Sequence, residues 1–211
     1  MKFRRKSTPD PSADASSDDG LDPADAAATG PVDAETLPEE HGRVDLGSLL
    51  VGSVDGRELR MQVDEASGQV QSVVIAGEDG ALEMRAFAAP RNGDLWDEVR
   101  PQIAADMERR GGTAEEREGR WGTELVCQLK VERPDGGGQA VQPSRIVGIN
   151  GPRWMLRATF LGRPAVELDQ TDWDDLLTLV AVRRGAHAMP VGEALPLVLP
   201  ESARRLSPGQ D

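Results

Sequence analysis

The chain has almost none of the side chains that most often carry chemistry. Its 211 residues include 2 His, 1 Cys and no Tyr. Both histidines, His41 and His187, lie outside the long patterned stretch that must form the core. A histidine general base, or a zinc site on His/Cys spacing, therefore has no residues to build it. A lone cysteine cannot form an internal disulfide, and nothing points to an oxidising compartment. No Gly-x-Ser-x-Gly elbow occurs, which removes the commonest hydrolase nucleophile. No run approaches the ~20 apolar residues that span a bilayer. The opening Met1-Lys-Phe-Arg-Arg-Lys6 has the charge of a secretory leader, but Ser7-Thr-Pro-Asp-Pro11 stands where the apolar segment would be. The expectation is a cytoplasmic, non-catalytic protein with no metal and no cofactor.

Basic residues are also scarce. Lys and Arg total 24 against 37 Asp and Glu, a net charge of −13. A phosphate backbone needs a basic surface, so nucleic acid is not an expected partner, and no membrane is expected either. Residues 1–40 hold 4 Lys/Arg and 10 Asp/Glu among Ala, Ser, Pro and Gly. Such a segment buries too little apolar surface to offset an ordering cost of about 1–2 kcal/mol per residue. Residues 1–42 are therefore read as a disordered acidic tail, 43–200 as one domain and 201–211 as a disordered end.

Within the domain the patterning is that of strands. Leu59, Met61 and Val63 alternate with Arg60, Gln62 and Asp64, the mark of a half-buried strand. Val70 to Ala76 and Ala81 to Ala88 follow after turns at Ala66-Ser-Gly68 and Gly77-Glu-Asp-Gly80, giving a meander. Leu95, Val99, Ile103 and Met107 then recur every four residues, with Asp94 as N-cap and Gly111-Gly112 as the stop. Pro101 should kink this helix or shift its start. An edge strand is expected over Thr113 to Arg120. Leu125, Cys127, Leu129 and Val131 form one face of the next strand, and Pro134-Asp-Gly-Gly-Gly138 is a hairpin loop. Two more strands, Val141 to Ile149 and Arg153 to Leu161, pair around Asn150-Gly151. A second helix starts near Asp172 with Thr171 as N-cap, and Leu179 to Arg183 fits either helix or strand. The expected fold is α+β: an antiparallel sheet of about six to eight strands with two main helices on one face.

The strings Val44-Asp-Leu-Gly-Ser48, Leu59-Arg-Met-Gln-Val-Asp-Glu65, Ala86-Phe-Ala-Ala-Pro90, Leu95-Trp-Asp-Glu-Val-Arg100, Trp121-Gly-Thr-Glu-Leu125, Gly151-Pro-Arg-Trp154 and Leu195-Pro-Leu-Val-Leu-Pro200 stand out. Through them the chain from Val44 to Pro200 resembles an actinobacterial family of domains of unknown function, DUF3710. That resemblance implies no activity. The order of elements is also similar to the PsbP and Mog1 type of α/β/α fold, a group of largely non-catalytic binding and accessory proteins.

Candidate sites are few. Cys127 on an apolar strand face reads as a small buried hydrophobe. Asp172, Asp174 and Asp175 read as the solvated first turn of a helix. Glu65 with Glu83 is the carboxylate pair an acid–base enzyme would use. The Gly136-Gly-Gly138 run reads as a turn, because it lacks the helix and Lys of a phosphate loop. The tryptophans Trp96, Trp121, Trp154 and Trp173 read as core, with Trp121 or Trp154 as alternative groove residues. A polar sheet face of Arg85, Lys130, Arg153, Met155 and Arg157, with Trp121 nearby, is the expected partner-binding surface for an acidic protein of unknown identity. The alternative is a small-ligand or lipid module with a pocket between sheet and helices.

Overall fold

In a computed structural model, residues 30–38, 42–132, 137–168 and 171–200 are described. Seven strands form the main sheet: β4 (Glu58–Val63), β5 (Val70–Ala76), β6 (Gly80–Ala88), β7 (Thr113–Gly119), β8 (Gly122–Glu132), β9 (Gln139–Gly151) and β10 (Trp154–Gly162). Their spatial order is β4-β5-β6-β10-β9-β8-β7, antiparallel throughout. A second, four-stranded sheet is built from β1 (Val32–Asp33), β2 (Arg43–Asp45), β3 (Leu49–Gly52) and β11 (Val180–Val182), in the order β1-β11-β3-β2. The expected α+β class and strand number are found. No described helix is long and apolar enough to cross a membrane.

The two faces of the main sheet are covered by different things, because alternate residues on each strand face opposite ways. Leu82, Met84 and Ala86 of β6, with Trp154, Leu156, Ala158 and Phe160 of β10, form the larger core. They pack against Leu49 and Val51 of β3, Val180 and Val182 of β11, and Trp173, Leu176 and Leu177. The second helical region is thus on this face, as α3 (Thr171–Asp174) followed by a 3-10 turn over Asp175–Leu179. The opposite face carries α1 (Leu95–Arg109), whose Leu95 and Trp96 lie over Leu125, Cys127, Ile146 and Met155. Helices therefore sit on both faces, not on one. A short helical turn, α2 (Arg163–Val166), follows β10.

Local rules account for most boundaries. Asp94 caps α1 by accepting the Asp97 N–H at 3.0 Å. The helix ends as Gly111 takes a left-handed φ of 79°, with Gly111 N–H bonded to Glu108 O and Gly112 N–H to Met107 O. That pair of bonds is the Schellman stop. Pro101 neither breaks α1 nor moves its start. It faces solvent, where water can take the Asp97 carbonyl it leaves without a donor.

Three expectations are corrected. Residues 30–38, placed in the disordered tail, belong to the fold: β1 pairs in parallel with β11, and Asp33 Oδ2 accepts the Trp154 Nε1–H at 2.9 Å. The composition hid this because two residues make the whole strand. Next, the β9–β10 turn is Pro152-Arg153, since Asn150 pairs with Met155 and Gly151 with Trp154. Proline followed by a residue at positive φ (60° for Arg153) is the pattern of a type II turn. Thr171 is the first helical residue instead of the cap before it. The helix-or-strand question over Leu179 to Arg183 is answered by strand β11, although the apolar stripe of Trp173, Leu176, Leu177 and Val180 fits a helix running through Val180. Residues 134–136 of the expected Pro134–Gly138 loop, most of residues 1–42 and all of 201–211 lie outside the described residues.

Candidate functional site

Helix α1 is too narrow to cover the sheet it lies on. It packs mainly over β7, β8 and β9, reaches β10 and β6 only at the Met155–Phe87 end, and leaves the same face of both strands more open from Arg157 onward. The step between helix and bare sheet is a groove of about 670 Å³. One wall is the α1 flank, with Val99, Ile103 and Met107, and the floor includes Leu129, Ile146 and Met155. That volume lies within the roughly 300–1,000 Å³ of small-molecule sites.

Strand register maps the floor in rows. Phe87 of β6 stands opposite Met155 of β10. One row on, Arg85 stands opposite Arg157, whose other neighbour is Gly148 of β9. A Cβ at Gly148 would run into the Trp96 ring, so the glycine lets α1 approach the sheet there. The next row is Glu83, Thr159 and Ile146, and beyond it come Leu161 and Ser144. Arg157 is half-buried. Its Cζ is 5.2 Å from the Phe87 ring centre, and Arg85 Cζ is 5.6 Å from the same ring. Among the described residues neither guanidinium has a carboxylate in salt-bridge range. Burial holds the Arg157 pKa below the usual arginine value, Glu83 acts against this, and Arg85 adds to it. By contrast, Arg109 and Arg110 at the rim are both paired with Asp106.

The expected partner-binding residues are thus split. Arg85, Met155 and Arg157 share one sheet face; Met155 and Arg157 line the groove, and Arg85 stands beside Arg157 at its edge. Arg153 is in the β9–β10 turn, because the turn lies two residues later than Asn150-Gly151 would put it. Lys130 has the parity of Glu124 on β8 and so faces the other way from Leu129. Trp121, in the β7–β8 turn, packs on the larger core with the Arg120 guanidinium 4.9 Å from its ring. Phe87 and Leu161 are not singled out by the sequence, and Ile103 and Met107 read there only as the helix's apolar stripe. The available signal was apolar residues on both faces of β6 and β10.

The buried charges are occupied with one another. Arg145 of β9, 1% exposed, donates to Asp174 Oδ1 at 2.9 Å and Glu124 Oε2 at 3.3 Å, and its Cζ lies 4.0 Å from the Phe160 ring centre. Arg117 Nε stands 3.0 Å from Glu124 Oε1. Burial pushes the Glu124 carboxyl above the usual range, against the pull of Arg145 and Arg117. Asp172 pairs with Arg57 and Arg163, and Asp175 with Arg120. The three acids at the start of α3 are thus each held by arginine, and no metal-holding group of acids occurs among the described residues. Glu65 lies in the β4–β5 turn while Glu83 lies on the groove floor, so this carboxylate pair is not assembled.

Cys127 is buried under α1. Burial pushes its thiol pKa up, favouring the unreactive neutral form. Iodoacetamide is expected to leave it intact in the native protein and to modify it fully once denaturant is added, as read by intact mass. Rapid labelling of the folded protein would contradict this placement.

Comparison with known proteins gives a family. No curated protein matches the chain. A crystal structure from Bacteroides thetaiotaomicron VPI-5482 at 1.50 Å resolution aligns over 68% of this chain at 9% identity, with a TM-score of 0.40. The aligned part is 48% of that structure's chain, about half its length, and a similarity this low does not bear on function. The family model described as "Protein of unknown function (DUF3710)" matches residues 30–205, which begins just before β1 and takes in every strand of both sheets. The chain therefore belongs to the DUF3710 family.

Proposed function

We propose that the protein is a non-catalytic binding protein whose ligand, a small molecule, lies in the groove between α1 and the bare face of β10 and β6. The observation that carries this reading is the groove itself: about 670 Å³ with apolar residues on wall and floor. Leaving such surface to water costs about 25 cal/mol per Å² relative to covering it. Two further features support the reading over a protein-binding face. Lys130, Arg153 and Trp121 do not join Arg85 and Arg157 on one surface. The buried carboxylates Glu124 and Asp174 are engaged by Arg145, outside the groove, which fits structural pairing better than acid–base work.

The test is titration with Nile red, a neutral dye whose emission rises in apolar surroundings. The native protein is expected to bind one dye per chain. Ile103→Trp places a larger ring in the groove and is expected to weaken that binding at least tenfold while leaving the thermal midpoint within a few degrees. Failure to bind, or binding that the filled groove leaves unchanged, would overturn the proposal.

A further inference from the structure

Two arginines directly opposite each other on neighbouring strands are an unfavourable pair, since like charges across a ladder repel. Arg85 and Arg157 are such a pair, with the Phe87 ring beside both. Elsewhere on the described surface arginines are commonly matched: Arg163 with Asp79 and Glu167, Arg100 with Asp97 and Glu116, Arg183 with Asp45. Here the nearest acid, Glu83, acts on Arg157 through the field alone. Half-burial of Arg157 beside apolar walls makes its unmatched charge more costly still.

A bound anion removes that cost. A guanidinium takes a carboxylate or phosphate through two parallel N–H bonds, and a second guanidinium alongside doubles the available donors. From Arg157 the floor continues along β10 past Thr159 to Leu161, four residues and roughly 13 Å at ~3.3 Å rise per residue. Ile103, Met107, Leu129 and Ile146 line this stretch, with Glu83 beside Thr159 at its β6 edge. A charged end and an apolar channel are thus in line. Resting on the groove as the ligand seat, we infer that its ligand is an amphipathic anion: an alkyl chain of medium length with a carboxylate or phosphate head held by Arg157 and Arg85.

The test compares dodecanoate, dodecyl phosphate and the uncharged dodecyl maltoside, each below its micelle concentration, by titration calorimetry on the whole chain. Acetate and inorganic phosphate serve as heads without chains. One site per chain is expected for both alkyl anions, at least tenfold tighter than for the maltoside, with no binding of the bare heads. A gap between the two anions tells carboxylate from phosphate as the preferred head. Arg157→Gln is expected to abolish the preference for anions and leave maltoside binding unchanged. Arg85→Gln, at the more open end of the pair, reduces that preference. Circular dichroism confirms that both variants fold. Equal binding of all three heads, or a preference that survives Arg157→Gln, overturns this inference and leaves the groove standing, since Nile red reports the groove without a charge. Tight binding of acetate or phosphate alone overturns it too, because the apolar channel would then contribute nothing.

Discussion

Replacing Trp154 with Ala is expected to lower the unfolding free energy by about 3–5 kcal/mol, as seen when large aromatic side chains are removed from packed cores. Trp154 is 1% exposed and sits at the start of β10 among Ala88, Leu156 and the C-terminal Leu195. The loss has two parts. The ring's buried area and the cavity it leaves supply most of it. The rest is the Nε1–H bond to Asp33, which ties β1 to the main sheet; a hydrogen bond to a charged group contributes about 1.5–3 kcal/mol. Trp154→Phe keeps a six-membered ring in the core but loses the bond and part of the packed volume, so its cost is expected to fall between zero and that of the alanine variant. Since domains of this size are stable by about 5–15 kcal/mol, the alanine variant loses a large share of its margin. Urea denaturation measures the change, and a loss under about 1 kcal/mol would contradict the packing described.

Arg145→Ala is expected to cost about 3–5 kcal/mol as well, for an electrostatic reason. Removing one partner of a buried ion pair leaves the other buried and uncompensated. Here Asp174 (4% exposed) would lose its guanidinium, and Glu124 (0%) would face it with only Arg117 left as a partner. Arg145→Lys is not expected to restore the native value, because one ammonium cannot reproduce a fork reaching acids on β8 and α3. The pH dependence gives the sign. Burial already raises the Glu124 pKa, and Arg145 is the largest influence holding it down. Without Arg145 the folded-state value rises further above the unfolded one. A carboxyl raised on folding binds its proton more tightly in the native state, so stability is gained as pH falls and lost as pH rises through the folded pKa. The deficit of the variant relative to the native protein should therefore shrink as the pH is lowered from neutral toward the ordinary carboxylate range. A deficit that grows with acidification would rule out this account of the network.

The regular elements were legible because their patterns are local. The alternation of Leu59, Met61 and Val63 and the fourfold recurrence from Leu95 to Met107 give β4 and α1, and Gly111 gives the helix stop. What could not be read is what depends on partners distant in sequence. Val32 and Asp33 become a strand only because β11, about 150 residues on, offers an edge. Glu124 and Arg145 alternate like any exposed charges on β8 and β9; burial follows from Asp174 arriving over them, with Phe160 beside Arg145 on the next strand. Asn150-Gly151 is a strong turn signal, yet Asn150 stays in the ladder, where its side chain bonds Asp94 Oδ1 at 2.6 Å and so fastens the start of α1. The groove was half legible. The alternation puts Arg85, Met155 and Arg157 on one sheet face, but that α1 lies mainly over β7 to β9 is a matter of tertiary placement.

The central claim is that ligand enters between α1 and the bare strands, and amide chemical-shift mapping tests it most directly. With saturating dodecanoate, the shifted amides are expected to cluster in β10 from Met155 to Leu161, β9 from Gln142 to Gly148, and α1 from Val99 to Met107. Shifts centred instead on the second, shallower hollow around Arg57, Arg60 and Glu78, or scattered with no cluster at all, would contradict it.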